Sequence, residues 1–204
     1  MSYYQTIYDG FRQYGLTEAG ALGFLGNFDC ESNCEPNRVQ GDFSPYRSAS
    51  KEYTADVDSG KISREQFKND SKGYGLAQFT YFTRKAALYD FHVAKGLSIG
   101  DCGLQIDFVM LELKSDFLGL FNLLKTSNDL YECVKQICYV YENPAVKNVD
   151  ARYQAAIRIK NEIDLDPQPV PPEPTPTPPE PVKVYWPPRT IDFHCTDFPE
   201  SAAN

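Results

Sequence analysis

Proline is nearly missing from the first 166 residues, which hold only Pro36, Pro45 and Pro144 of the fifteen in this 204-residue chain. The other twelve lie between Pro167 and Pro199. Proline interrupts helices and sheet ladders alike, so its scarcity leaves about 160 residues able to build one core. The remainder is too proline-rich and too short to build a second. Residues 1–166 are therefore expected to form one domain, 167–189 a polyproline-II-like spacer, and 190–204 a short terminal segment. Histidine is scarce too, with only His92 and His194. A zinc site would have to be almost wholly thiolate, and the six cysteines (30, 34, 102, 133, 138 and 195) are not spaced for one. They read as reduced, mostly buried thiols, and no metal or organic cofactor is expected.

Positive charge is in deficit. Twenty Lys and Arg stand against 28 Asp and Glu, a net charge of −8, with no basic run. An affinity built on neutralising phosphates needs a basic face, so nucleic acid is not an expected partner, and anionic membrane surfaces are disfavoured likewise. Apolar runs are short, as in Phe117-Leu118-Gly119-Leu120-Phe121, so no membrane insertion is expected. The opening Met1-Ser2-Tyr3-Tyr4-Gln5 has neither the basic nor the apolar region of a secretory signal. Any extracellular target would then be reached by another route.

What is present is helical periodicity. Ser2 is positioned to cap a helix reaching about Tyr14, with Ile7 and Phe11 on its apolar stripe. Thr17 opens a second, Glu18 to about Asp29, in which Gly20, Gly23 and Gly26 recur every three residues. Each glycine costs an isolated helix about 1 kcal/mol, so another backbone is expected to pack closely on that stripe. From 35 to 80 periodicity lapses, apart from a short helix at Arg64–Asn69 capped by Ser63. Phe43, Tyr46, Tyr53, Phe67, Tyr74 and Phe79 alternate with polar residues there, which suits a cleft wall. Helices resume at Phe82–Lys95, stopped by Gly96, then near 104–114 with Leu104, Phe108 and Leu111 on one face. Others follow at 117–124, at 129–141 before Asn143-Pro144, and at 149–163. The domain reads as mainly α, with an irregular cleft-lining segment that leaves room for one small hairpin. Glu142 and Arg152 bracket the Asn143-Pro144 turn and are expected to pair.

Two segments carry chemistry. The second helix runs out into Cys30-Glu31-Ser32-Asn33-Cys34-Glu35-Pro36-Asn37. A carboxylate at a helix C-terminus is disfavoured by the dipole, and partial desolvation adds to that, so Glu31 has the setting of a general acid. Later comes Gly73-Tyr74-Gly75-Leu76-Ala77-Gln78-Phe79-Thr80. Its glycines let backbone approach a ligand, and Gln78 offers a donor and an acceptor for sugar amides and hydroxyls.

In order and spacing these segments resemble the phage tail lysozyme family. The resemblance runs from about Gly15 to Ala156 and is most specific in GLTEAGALGFLGNFDCES, NDSKGYGLAQFTYFTRKAALYDF, GLQIDFVMLEL and YENPAVKNVDARYQAA. It implies a lysozyme-like helical fold and muramidase activity on the β-1,4 bond between N-acetylmuramic acid and N-acetylglucosamine in peptidoglycan. It also implies Glu31 as the catalytic acid and the Gly73–Gln78 segment as the substrate-cleft motif, with Tyr74, Gln78, Phe79 and Thr80 as sugar contacts. The family usually has Trp where this chain has Phe79, so an indole N–H bond would be missing. A glycosidase normally needs a second carboxylate. Asp42, Asp56, Asp58 and Asp70 lie in the irregular stretch, and Asp70, just ahead of the Tyr74–Gln78 motif, is the first choice.

Three rivals stand beside this reading. The Glu31-Ser32, Asn-Pro and Gly-Leu-x-Gln layout also resembles lytic transglycosylases, in which one Glu serves as acid and base. A cysteine nucleophile would need His92 or His194 as its base. A structural tail component could keep the fold without activity. The family implies a phage virion tail as the place of work, with host cytoplasm before release to the wall as the alternative. Trp186 near the end of the spacer and Ile191, Phe193 and Phe198 beyond it would let the terminal segment dock on a virion protein or back on the catalytic domain, with a disordered tail as the alternative.

Overall fold

The computed structural model describes residues 2–41, 45–46 and 51–165; the expected spacer, the terminal segment, Asp42, Phe43, His194 and Cys195 lie outside them. The described part is mainly helical. In chain order the helices are α1 Tyr4–Gln13, α2 Glu18–Ser32, α3 Lys51–Asp58, α4 Arg64–Asn69 and α5 Phe82–Lys95. They continue with α6 Cys102–Ser115, α7 Leu118–Thr126, α8 Leu130–Gln136, a π-helical turn Ile137–Glu142 and α9 Val149–Lys160.

Helix α2 is the axis of the domain. Its residues from Ala19 to Phe28 are buried without interruption, which a helix achieves only when neighbours cover it all round. The glycine stripe makes this possible. A Cβ on Gly20 would lie 2.5 Å from the Leu124 carbonyl oxygen at the end of α7, and one on Gly23 would lie 3.2 Å from the Cys133 Cβ on α8. One on Gly26 would strike the Arg152 carbonyl of α9. Each glycine thus admits a different neighbour, as its spacing led us to expect. On the flank toward α1, Phe11 stacks on Phe24 at 4.5 Å and Phe28 closes the cluster.

Capping follows the sequence at most ends. The Thr17 hydroxyl accepts from the Gly20 N–H, and Ser63 with Gln66 forms a full capping box on α4. Gly96 ends α5 in the left-handed region. Helix α1 differs: Tyr3, not Ser2, is its N-cap, and no side chain bonds there. Leu111 also departs from expectation and is half exposed, because the buried sector of α6 centres on Gln105, Val109 and Glu112 and ends just short of it. No named strand occurs among the described residues; an isolated antiparallel bridge joins Val39 to Tyr74.

Candidate active site

The helix α2 reaches three residues further than its periodicity indicated, which places Glu31 in its last turn. Two devices stop it there. Asn33 and Cys34 take left-handed φ angles of 55° and 56°, and the buried Ser32 hydroxyl donates to the Phe28 and Leu76 carbonyls. The second bond ties the end of α2 to the glycine-rich segment. Arg152 offsets the unfavourable position of Glu31 against the helix dipole. Its guanidinium donates to the Glu31 Oε1 at 2.6 Å and to the Asn27 Oδ1 at 3.1 Å. Asn27 is itself held by the Gly23 and Val134 carbonyls. Arg152 is thus paired with Glu31, 121 positions away, and not by a hydrogen bond with its sequence neighbour Glu142.

The Gly73–Gln78 segment is fixed from below. Gln105 of α6 accepts from the Leu76 N–H at 2.8 Å and donates to the Pro36 and Ile99 carbonyls. Gly75, at φ 77°, has Gln105 where its Cβ would be, so only glycine fits. The Gly75 N–H donates to the Arg38 carbonyl, and the Gln78 amide donates to the carbonyls of Arg38 and Gly75.

These elements enclose a cavity of about 400 Å³, lined by Glu31, Gln40, Gln78, Thr80, Tyr81, Arg84 and Glu142 among others. Its walls are mostly polar, as a sugar site requires. Glu142 closes the π-helical turn, and such turns concentrate at functional sites. The residue is half-buried, yet its Oε1 is sealed from solvent and has no hydrogen-bond partner. Burial, and then the Glu31 charge, push its carboxyl well above the usual Glu range. Arg84 is bound by both Glu112 oxygens at 2.8 Å and lies over the Phe79 and Tyr141 rings. It serves as a fixed positive wall.

Of the expected site residues, the cavity gathers Glu31, Gln78 and Thr80. It does not gather Asp70, Tyr74 or Phe79. The Asp70 carboxylate accepts from the buried Lys85 ammonium and the Tyr53 hydroxyl, and from the Lys72 N–H at 2.8 Å. Tyr74 is buried, with its hydroxyl 2.7 Å from that of Thr54. Phe79 is buried against Phe108. Asp56 is engaged by Tyr46 and Lys61, and Asp58 by Ser98 and the Ile99 N–H. The sequence reading missed Arg84, Gln40 and Tyr81 as lining residues, and it favoured a structural role for Glu142 over substrate contact. Tyr81 and Arg84 had a signal, since both follow the glycine-rich motif directly.

The described cysteines are free thiols, and Cys30 is the exposed one. Burial raises the pKa of every one, with Cys102 pushed up to about 12. An activated nucleophile needs the opposite shift. The His92 Nδ1 lies 3.2 Å from the Leu97 carbonyl, a structural position.

A mainly helical domain with Glu31 and Glu142 lining one polar cavity fits a lysozyme-like protein. The phage tail lysozyme family model matches residues 2–163, and the chain belongs to that family. No curated protein matches it. Among the described residues no helix is long and apolar enough to cross a membrane.

Proposed function

We propose that this protein is a muramidase, cleaving the β-1,4 bond between N-acetylmuramic acid and N-acetylglucosamine. The observation that carries this reading is the meeting of Glu31 and Glu142 in one sugar-sized polar cavity. Two carboxyls in one cavity act on each other, since a charge on one disfavours ionisation of the other. Burial, and then the Glu31 charge, hold the Glu142 carboxyl well above the usual Glu range. Glu31, with a fifth of its side chain exposed and oriented by Arg152, is the acid that protonates the leaving glycosidic oxygen. The charge left on the pair then faces the positive charge that develops at the anomeric carbon. Glu142 takes the place for which the sequence favoured Asp70, and Asp70 instead holds Lys85. Gln40, Gln78 and Thr80 supply hydrogen bonds to the sugars. Family membership supports a phage-associated setting; we place the protein on the virion tail, acting on the wall during entry.

The test combines variants with product analysis. Glu31→Gln and Glu142→Gln should each lower glycan release by about 10² or more with folding intact. Asp70→Asn leaves the Lys85 charge unpaired, so it should lower thermal stability, by about 3–5 kcal/mol, before it lowers turnover of the folded fraction. Near-normal release by a folded Glu31→Gln protein would sink the assignment. Muropeptides that have gained a water at the reducing end support hydrolysis. Anhydro products move the enzyme to the transglycosylase class, and no glycan release by the unmutated protein leaves a structural tail component.

A further inference from the structure

The carboxyl cavity does not stop at Tyr81. Thr80 and Tyr81 also line a second hollow of about 490 Å³, completed by Lys68, Asn69, Ser71 and Phe82. The two hollows share one wall, and the second opens between the end of α4 and the start of α5.

The chemistry of this second hollow is specific. Tyr81 is 62% exposed and Phe82 49%, and their rings lie 4.8 Å apart. Adjacent large aromatics left in water at the margin of a cleft mark a contact surface. Here they stand beside an amide on Asn69 and hydroxyls on Ser71 and Thr80. A pyranose ring matches that combination, because its C–H face packs on an aromatic while its equatorial hydroxyls reach sideways for polar groups. The Asn69 amide donates to the Glu65 carbonyl at 2.8 Å, which leaves its Oδ1 to accept from a sugar hydroxyl. A purely apolar partner would strip that oxygen of water without replacing it. Lys68 is tied to Glu65 at 2.8 Å, which argues against an anionic ligand held chiefly by charge.

The floor is also held still. Tyr81 is the N-cap of α5 in an extended conformation, and the Lys85 N–H donates to its carbonyl at 3.0 Å. The Thr80 hydroxyl donates to the Gln78 carbonyl at 2.9 Å, so the shared wall is anchored to the motif that forms the first cavity. With the backbone fixed in this way, only the two aromatic side chains remain to be ordered on binding.

We infer that the second hollow is a subsite for sugar rings of the glycan strand beyond those at the cleavage point, with Tyr81 and Phe82 as its stacking floor. The inference rests on the glycan-cleaving reading and adds the path of the strand: from the Glu31–Glu142 cavity across Tyr81 toward Asn69. Recognition should then depend on strand length, since only a chain long enough to cross Tyr81 fills both hollows.

The experiment titrates the full chain with short and long oligomers of N-acetylglucosamine, alongside Tyr81→Ala, Phe82→Ala and the conservative Tyr81→Phe, and measures wall cleavage in parallel. Affinity of the unmutated protein should rise about tenfold or more from short to long oligomer, a change worth ~1.4 kcal/mol per tenfold. The two alanine variants should lose most of that rise, and Tyr81→Phe should keep it. Because both rings are exposed, melting temperatures should stay close to the unmutated value. Cleavage with an unaltered length dependence in both alanine variants overturns the subsite and leaves the muramidase reading standing. Absent cleavage, with length-dependent binding that the alanine variants abolish, supports the subsite and overturns the muramidase reading. Affinity that does not rise with length in the unmutated protein overturns the subsite.

Discussion

A single atom, the buried Oε1 of Glu142 without a partner, carries much of what distinguishes this site. A carboxyl so placed is costly to ionise, and burial and the Glu31 charge act in the same direction. The folded protein therefore keeps a proton that the unfolded chain releases once pH passes the ordinary Glu value of 4.5. In that window the native state binds more protons than the unfolded state, so stability falls as pH rises. Glu142→Gln stays neutral at every pH. The variant should melt at a higher temperature than the unmutated protein near neutrality, with the gap closing as pH drops toward 4.5, while glycan release is lost. Melting curves across pH check this, and a gap that widens on acidification would contradict the assigned direction. The sequence pointed to Glu31 through its helix-end position but paired Arg152 with Glu142. Local spacing could not disclose that the guanidinium turns to Glu31, 121 positions away. Asp70 shows the same limit, because no pattern around it announced the buried Lys85.

At the scale of elements, the glycine stripe of α2 is the most legible feature. Spacing alone indicated close backbone approach, and α7, α8 and α9 supply it. Capping residues were legible for the same reason, since Thr17, Ser63 and Gly96 act through bonds within a few positions. Helix α3 was not legible: its buried Tyr53, Thr54 and Val57 span little more than a turn, too short a stripe to register against polar neighbours. The aromatic alternation was legible as order at Tyr46, Tyr53, Phe67, Tyr74 and Phe79 but not as direction. Tyr53, Phe67, Tyr74 and Phe79 face the core, and the exposed rings follow at 81 and 82. The stripe offers a test of opposite signs. Gly26→Ala sets a methyl against the Arg152 carbonyl and 2.8 Å from the Ala156 Cβ, so α9 must move and take the Glu31 partner with it. A loss of about 1–3 kcal/mol should come with reduced glycan release. Gly119→Ala meets nothing within 4 Å and should add up to about 1 kcal/mol with activity unchanged. Chemical denaturation of both variants reads the difference.

The whole sequence divides by composition into a proline-poor part and a proline-rich remainder, and the last described residues pack onto the helical core. Ile159 is buried, and Ile163 and Leu165 pack against the core. The chain ends of the domain are also clasped: the Gln5 amide donates to the Asp164 carbonyl at 3.0 Å and accepts from the Asp164 N–H at 2.8 Å. Lys160 reaches Glu18 and Arg158 reaches Asp29, so α9 is pinned to both ends of α2. Removing residues 167–204 breaks none of these bonds. The truncated protein should melt at the unmutated temperature and cleave soluble glycan fragments at the unmutated rate. Cutting after Lys160 instead removes the clasp, Ile163 and Leu165 together, and should lower the melting temperature by several degrees. If the segment from 190 onward docks on a virion protein, the protein lacking residues 167–204 should also lose association with particles while its activity in solution persists. The proline spacer then works as a tether that raises enzyme concentration at the wall, which a chain of net charge −8 would not gain from attraction to an anionic surface. Normal incorporation of the truncated protein into particles would leave the tail without that role. Loss of activity on small fragments would mean that residues beyond 166 complete the cleft.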